Sequence, residues 1–214
     1  MQRDIRDLAN IDGLTAVPRL LTALASRGGS LLNVSDLSRN AAMPVTTLRR
    51  YLSLLETTFL IKLLPAWGTL RGRRIAKAPK LLFADTGLMA HQLGLSAARV
   101  EKDRSLLGPV FEVFVAMELC KASSWSKLGP TLSHYRTHAG QEVDVVLEDR
   151  AGRTVGVEIK ASSTVTAKDF SGLRAFAEDC GDRFHRGVVL YTGATVVPFG
   201  PNLHAVPVSA LWEG

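Results

Sequence analysis

Residues 138–163 read HAGQEVDVVLEDRAGRTVGVEIKASS, and they place charges inside two segments that are otherwise typical of buried β-strands. The charges in question are Asp144, Glu158 and Lys160. Strands that are covered on both faces are usually continuous runs of valine, isoleucine and leucine. A charge in such a strand must be paired, bound to a metal ion or turned out to solvent, because burying it alone is costly. These three residues are therefore the first candidates for a functional site.

The alternation of side chains along a strand predicts how these charges are arranged. Successive side chains point to opposite faces of a sheet, so Glu158 and Lys160 share one face of their strand. The turn between the two strands is short, which places Asp144 roughly opposite Glu158 across the ladder. The apolar residues predicted to point to the other face are Val143, Val145, Leu147, Val155, Val157 and Ile159.

Two carboxylates held this close repel each other unless one is protonated or a cation lies between them. Mg²⁺ (or Mn²⁺) resolves the conflict, because Mg²⁺ prefers oxygen ligands and retains several waters. Lys160 is then placed to reach a metal-bound water or a phosphate oxygen, and Glu112, near the start of the preceding helix, is a further candidate acid. The alternative is a strand surface on which Lys160 forms an ordinary salt bridge with an acid.

An acid on one strand, followed by acid-x-Lys on the next, resembles the PD-(D/E)xK signature of restriction-endonuclease-like nucleases. The order of elements around it agrees with such a fold. A helix is predicted at 108–122, then three strands, a helix at 167–180 and a strand at 187–193. This order predicts an α/β domain with a mixed central sheet.

The first half of the chain predicts a helix-turn-helix. Helical segments at 15–29 and 33–43 precede a third helix that starts at Pro44, where the missing N–H of proline is harmless. Five residues of the third helix at 3–4 spacing are predicted to be buried: Val45, Leu48, Leu52, Leu55 and Phe59. The opposite face carries the candidate nucleic-acid contacts Thr46, Arg49, Arg50 and Ser53.

A basic hairpin is predicted after the third helix. Residues 57–84 contain six cations and no acid, and two apolar segments flank the loop GTLRGRR. This pattern is that of the wing of a winged helix, whose basic tip suits phosphate contacts. The tip residues assigned to nucleic acid are Arg71, Arg73, Arg74 and Lys77. The alternative is a winged helix that serves only in protein packing.

Composition and charge favour a two-module protein that faces a polyanion. The chain has 214 residues and a net charge of +6. Residues 1–100 carry 14 Lys+Arg and 6 Asp+Glu, a balance of +8, and residues 101–214 carry 12 and 14, a balance of −2. The predicted modules are a winged helix at 1–95, a linker at 96–107 and a nuclease-like domain at 108–214.

Several classes of protein are excluded by the same inspection. No apolar run reaches the length of about 18 residues that a membrane span requires, and the charged start lacks the apolar segment of a signal peptide. Cys120 and Cys180 form no CxxC pattern, so neither a disulfide framework nor a thiolate zinc site is expected. The expectation is a reduced, cytoplasmic protein without a membrane partner.

The order of several segments resembles one known family. The segments LRRYLSLLETTFLIKLLPAW, KAPKLLFADTGLMAHQLG, FEVFVAMEL, HAGQEVDVVLE and GVEIKAS resemble the C-terminal region of a large prokaryotic family of AAA-type ATPases. In that family a winged helix precedes a domain of unknown function with a nuclease-like core. The resemblance covers nearly the whole chain. It implies metal and catalytic positions at Asp144, Glu158 and Lys160, with Glu112 as the helix acid.

One departure from the family concerns the ATPase itself. The chain contains no G-x-x-x-x-G-K-[ST] motif, so ATP hydrolysis is not assigned to it. The chain is then either a fragment or the product of a gene that has lost its motor, with an AAA-type ATPase acting in trans as a candidate partner.

Three functions remain at this point. The first is a DNA-associated protein whose nuclease-like domain performs Mg²⁺-dependent phosphodiester hydrolysis. The second is a non-catalytic docking or regulatory module of an ATPase, and the third is a winged-helix transcription regulator. Metal binding separates the first from the others, and DNA affinity without metal dependence favours the regulator.

Overall fold

The computed structural model describes residues 16–68 and 78–213. Contacts divide these residues into two compact units that are not contiguous in sequence: residues 16–63 with 78–113, and residues 64–68 with 114–213. The prediction of an α/β protein with a mixed sheet is confirmed, because the described residues contain both helices and a six-stranded mixed sheet.

The first unit begins with three helices, α1 (Val17–Ala25), α2 (Val34–Asn40) and α3 (Val45–Thr57). Helix α1 buries one apolar side, formed by Val17, Leu20, Leu21 and Leu24. Asn33 caps the start of helix α2, and its side chain accepts a hydrogen bond of 3.0 Å from the backbone N–H of Asp36. This cap satisfies a donor that the first turn of a helix leaves without a partner.

Helix α3 follows Pro44, and its buried side differs from the prediction at both ends. Tyr51 joins the buried side, together with Leu48, Leu52 and Leu55 as predicted. Val45 and Phe59, however, are 38% and 82% exposed, so the prediction that they are buried was wrong. The helix ends at Thr57, and Phe59 takes a left-handed φ of 57°, which turns its side chain away from the helical stripe.

The two strands of the predicted hairpin pair with each other. They are β1 (Ile61–Leu64) and β2 (Lys80–Phe83). The tip of the predicted wing, with Arg71, Arg73, Arg74 and Lys77, lies outside the described residues. The chain continues with α4 (Thr86–Gln92), α5 (Ala97–Lys102), a 3₁₀ turn (Arg104–Leu106) and the long helix α6 (Leu107–Trp125).

The sheet of the second unit combines antiparallel and parallel strands. Its order is β3-β4-β5-β6-β8-β7, with parallel pairing of β5 with β6 and of β6 with β8 and antiparallel pairing elsewhere. The strands are β3 (Thr131–Arg136), β4 (Glu142–Glu148), β5 (Thr154–Lys160), β6 (Phe184–Tyr191), β7 (Val197–Gly200) and β8 (Leu203–Pro207). A 3₁₀ turn (Ala167–Phe170) and helix α7 (Ser171–Cys180) connect β5 to β6, and 3₁₀ turns also span Gly181–Arg183 and Val208–Leu211.

Helix α7 packs closely against β5 because a glycine lies at the contact. A Cβ on Gly156 would lie 2.7 Å from Leu173 Cδ2 and 3.1 Å from Phe176 Cδ1. Glycine is therefore required for this approach of helix to strand. The contact brings the start of α7 over the strand that carries Glu158 and Lys160.

The core of the second unit includes Trp67, a residue from the first half of the chain. Trp67 is 3% exposed and packs edge-on against Phe176, with ring centroids 4.9 Å apart. Its backbone N–H donates to the carbonyl of His134 at 2.7 Å, and its indole Nε1 donates to Glu148 Oε2 at 2.8 Å. The segment around Trp67 thus lies against the edge of β3 and is part of this unit.

Candidate active site

Asp144 and Glu158 are neighbours across the hairpin of β4 and β5. The antiparallel register pairs Val145 with Val157, so Asp144 and Glu158 are the next pair in the same register. Both residues are buried, at 5% and 7% exposure. Asp144 Oδ2 accepts a hydrogen bond of 2.9 Å from the backbone N–H of Ile159, which holds this carboxylate against β5.

A β-bulge in β4 lies at Asp144. The pairing with β3 joins Ser133 to Val146 and Tyr135 to Val143, so two steps along β3 correspond to three along β4. Asp144 and Val145 therefore both lie opposite the single residue His134. Bulges re-aim side chains and are common beside active sites. The bulge also places Val143 in the same core cluster as Val146, so the predicted strict alternation was wrong for Val143.

Lys160 completes the arrangement from the same strand as Glu158. Its Nζ donates to Glu158 Oε1 at 2.8 Å, and its side chain is 36% exposed. Burial by itself lowers the pKa of Lys160, but the carboxylates of Glu158, Asp144 and Asp169 together outweigh it and raise that pKa above its usual value. Lys160 is therefore a cation near neutral pH. Its positive charge lies beside two buried carboxylates.

An open cavity of about 440 Å³ adjoins this group, and Asp144 is not among the residues that line it. Glu158 and Lys160 form one wall, and the residues 139–142 that precede and begin β4 form another. The remaining wall comes from the segment that starts helix α7: Lys168, Asp169, Ser171 and Gly172. A Cβ on Gly172 would overlap the backbone carbonyl of Glu142, so glycine lets this segment approach the start of β4.

Asp169 is a site residue that the sequence analysis missed. Its Oδ2 accepts hydrogen bonds from Thr166, at 2.8 Å from the backbone N–H and 2.9 Å from Oγ1. Burial raises the pKa of Asp169, but these bonds and the charge of Lys160 lower it by more, so the net pKa is below its usual value. The sequence does contain a signal for this position, because Thr-x-x-Asp at 166–169 is close to the pattern of a capping box. The structure contains that capping box.

The donor set at this cavity fits a hard divalent cation. Mg²⁺ uses one or two protein carboxylates and completes its shell with water and substrate oxygens. A carboxylate has two oxygens with several acceptor sites, so the bond from Ile159 to Asp144 leaves capacity for a metal. Within residues 16–68 and 78–213, no group of three or more His, Cys, Asp and Glu side chains has a metal-binding arrangement. Water and substrate would therefore have to supply the other ligands.

Glu112, the predicted helix acid, belongs to the first unit. Its Oε1 accepts a hydrogen bond of 2.8 Å from Nζ of Lys80, whose side chain is only 4% exposed. A buried lysine needs such a partner, since an isolated charge there would be costly. The structure thus gives Glu112 a structural partner, and its role beside Asp144 and Glu158 stays a prediction.

The predicted nucleic-acid face of α3 is open to solvent. Thr46, Arg49, Arg50 and Ser53 are all exposed. The turn between α2 and α3 contains Ala42 at a left-handed φ of 49°, a value that lets the chain reverse sharply between two helices. Among the described helices, none is long and apolar enough to cross a membrane.

Comparison with known proteins finds two domains of unknown function. Residues 107–211 match DUF4143, and residues 1–99 match DUF8612. The chain is also similar to uncharacterized proteins of Mycobacterium bovis and Mycobacterium tuberculosis, each 29% identical over 212 residues. That match covers 99% of this chain and 46% of each relative, so the chain spans about half the length of the curated relatives it matches. The predicted resemblance is confirmed as far as a domain of unknown function.

Proposed function

We propose that the second unit is a metal-dependent phosphodiesterase that acts on DNA. The observation that carries this proposal is the buried pair Asp144 and Glu158, opposite each other on a hairpin, with the Lys160 ammonium beside them at an open cavity. Buried acids with a lysine beside them at a cleft are a common arrangement in functional sites. The same arrangement agrees with the resemblance to PD-(D/E)xK nucleases.

Asp144 and Glu158 would hold Mg²⁺ or Mn²⁺, and such an ion, when bound, supplies Lewis acidity and an activated water. Asp144 is held by the Ile159 N–H, and the bulge in β4 lies beside it. The position of the Asp144 carboxylate is thus fixed before any ligand binds, so binding requires less reorganisation of the site.

Lys160 contributes a positive charge where negative charge develops. During phosphodiester hydrolysis the attacked phosphate gains negative charge, and a fixed cation in a partly buried site stabilises that charge strongly. The bond from Lys160 to Glu158 holds the ammonium at the cavity wall. Lys160 thus orients a water or a phosphate oxygen by hydrogen bonding.

A cleavage assay tests the proposed reaction. The full chain is incubated with Mg²⁺ or Mn²⁺ and mixed DNA and RNA substrates, beside the variants Glu158→Gln and Lys160→Met. We expect cleavage by the parent and a loss of at least a hundredfold in both variants, in the range for a group that stabilises the transition state. Asp182→Asn, a change at an exposed acid, is the matched control and should cleave like the parent.

A parent that neither binds metal nor cleaves any substrate would contradict the proposal. In that case the docking or regulatory module of an ATPase takes its place. An AAA-type ATPase acting in trans or missing from this chain is the partner that the resemblance implies.

DNA binding by the first unit is a second candidate function, and it is favoured by the exposed arginines of α3. The double variant Arg49→Glu with Arg50→Glu should bind duplex DNA more weakly and with a smaller salt dependence, because fewer counterions are released. A control that reverses Arg19 and Arg186, both exposed and remote from α3 in sequence, carries the same change in net charge. Equal weakening by both variants would indicate nonspecific charge rather than recognition by α3.

A separate variant tests the predicted wing. Reversing Arg71, Arg73 and Arg74 together should weaken DNA binding further if the hairpin tip contacts phosphates. An affinity and salt dependence equal to those of the parent would rule out the wing as a DNA contact.

A further inference from the structure

Three kinds of contact fix the position of the 3₁₀ turn Ala167–Phe170. Thr166 and Asp169 bond to each other in a capping box at its start. Phe170 is fully buried and stacks on Phe199, with ring centroids 4.5 Å apart. Arg174 donates to the carbonyl of Ala167 at 2.7 Å. These contacts make the turn a fixed part of the cavity wall.

Lys168 projects from this turn as an exposed residue and lines the cavity. The other charged groups of the wall have close partners. Glu158 is paired with Lys160, Glu142 with Arg136 at 2.8 Å, and Asp169 is bonded to Thr166. In the part of the chain that the structure describes, no carboxylate lies within salt-bridge distance of Lys168. Its ammonium group is therefore available to a ligand.

The net charge at the cavity determines whether an anionic ligand can bind there. The lining and its direct neighbours hold four acids (Asp144, Glu142, Glu158 and Asp169) against three cations (Lys160, Lys168 and Arg136, the partner of Glu142), an excess of one negative charge. An anionic phosphate is thus disfavoured until a cation neutralises the carboxylates. A divalent cation at Asp144 and Glu158 would reverse the sign of the local charge.

We infer that Lys168 is a phosphate contact of this cavity and that it acts only when a divalent cation is bound. The ligand class is a nucleic-acid backbone whose phosphate lies between Lys168 and the Asp144–Glu158 pair. This inference rests on the proposed function for the position of the cation. It goes further, because it names a substrate-binding residue on an element that carries none of the predicted site residues.

The test measures binding of a fluorescein-labelled DNA duplex to the full chain by anisotropy. Each titration is performed in EDTA and in Ca²⁺ over a series of KCl concentrations. The variants are Lys168→Gln, the conservative Lys168→Arg, and the control Lys127→Gln, which removes an exposed lysine outside the cavity lining. In EDTA all four proteins should bind alike, because any contribution of the first unit needs no metal.

In Ca²⁺ the parent and Lys127→Gln should bind DNA more tightly than in EDTA. Lys168→Gln should bind DNA in Ca²⁺ about tenfold more weakly than the parent does. Its salt slope should fall by about one, which corresponds to one lost phosphate contact. Lys168→Arg should recover most of the loss, since it restores the charge at the same place. An unchanged affinity of Lys168→Gln in Ca²⁺, or a parent that gains nothing from Ca²⁺, would overturn the inference.

Cleavage in Mn²⁺ separates the two proposals. If Lys168→Gln loses DNA affinity only in Ca²⁺ and the parent cleaves no substrate, the phosphate contact is supported and hydrolysis is rejected. A parent that cleaves, with Lys168→Gln equal to it in KM and in affinity, would keep hydrolysis and reject the contact.

Discussion

The closeness of Asp144 and Glu158 has a measurable consequence for stability. Their mutual repulsion costs free energy that the single charge of Lys160 only partly offsets. Asparagine at 144 removes one charge and keeps an oxygen that accepts the bond from Ile159. We therefore expect metal-free Asp144→Asn to be no less stable than the parent. Thermal melts without metal measure this directly.

The same melts in Mg²⁺ or Mn²⁺ test the metal site. A cation that binds only the folded state raises the melting temperature with its concentration. The parent and the control Asp182→Asn should show this rise, and Asp144→Asn should lose it. A structural salt bridge predicts the reverse: no rise in the parent, and lower melting temperatures for Asp144→Asn and Glu158→Gln. That result would favour the docking module over the enzyme.

The two cysteines should differ strongly in reactivity. Cys180 is 4% exposed, and burial above all raises the pKa of its thiol to about 11. At pH 8 only about one molecule in a thousand then carries the reactive thiolate, as follows from the three-unit difference. Cys120, on α6, is half-buried. A thiol reagent should therefore modify Cys120 in the native protein and both thiols in denaturant.

Cys120→Ser is the control for this assignment, because it should abolish the fast reaction of the native protein. Fast labelling of Cys180 in that variant would show that α7 opens readily from the sheet.

At the scale of elements, the contact of α7 with β5 supports the site. Gly156→Ala would force its new methyl group against Leu173 and Phe176. We expect a loss of about 1–3 kcal/mol in the free energy of unfolding, the usual cost of overpacking. Urea denaturation measures the loss.

A double variant shows whether this clash is the cause. Leu173→Ala leaves room for the methyl group, so Gly156→Ala should cost less in that background than in the parent. Equal costs in both backgrounds would place the effect of Gly156 elsewhere than at Leu173.

At the scale of the whole molecule, Trp67 ties part of the first half of the chain into the second unit. Trp67→Ala removes its packing on Phe176 and its bond to Glu148. A loss of about 3–5 kcal/mol is expected, as for other large buried aromatic residues. Trp125 is 73% exposed, so Trp125→Ala is the matched control and should change stability by less than about 0.5 kcal/mol.

The same observation bears on the predicted modules 1–95 and 108–214. A fragment of residues 108–214 lacks Trp67 and should unfold more readily than the second unit of the full chain. A fragment as stable as the full chain would show that 108–214 folds independently, as the predicted limits require.

Much of the candidate site could be predicted because its signals are local. Alternation along a strand and the short turn between β4 and β5 bring Asp144 opposite Glu158, and both act within a few residues of chain. The helix caps at Asn33 and Asp85 are equally local, since each side chain accepts a hydrogen bond from the backbone N–H three residues later.

Other features depend on contacts between distant segments, and the amino-acid order does not reveal them. The bulge at Asp144 arises from pairing with β3, and Trp67 finds its partners at His134 and Glu148 far along the chain. Glu112 pairs with Lys80 for a similar reason. Sequence alone determined the α/β pattern and the trio Asp144, Glu158 and Lys160. The cavity wall with Lys168 became visible only in the folded chain, because close packing of α7 on β5 places it there.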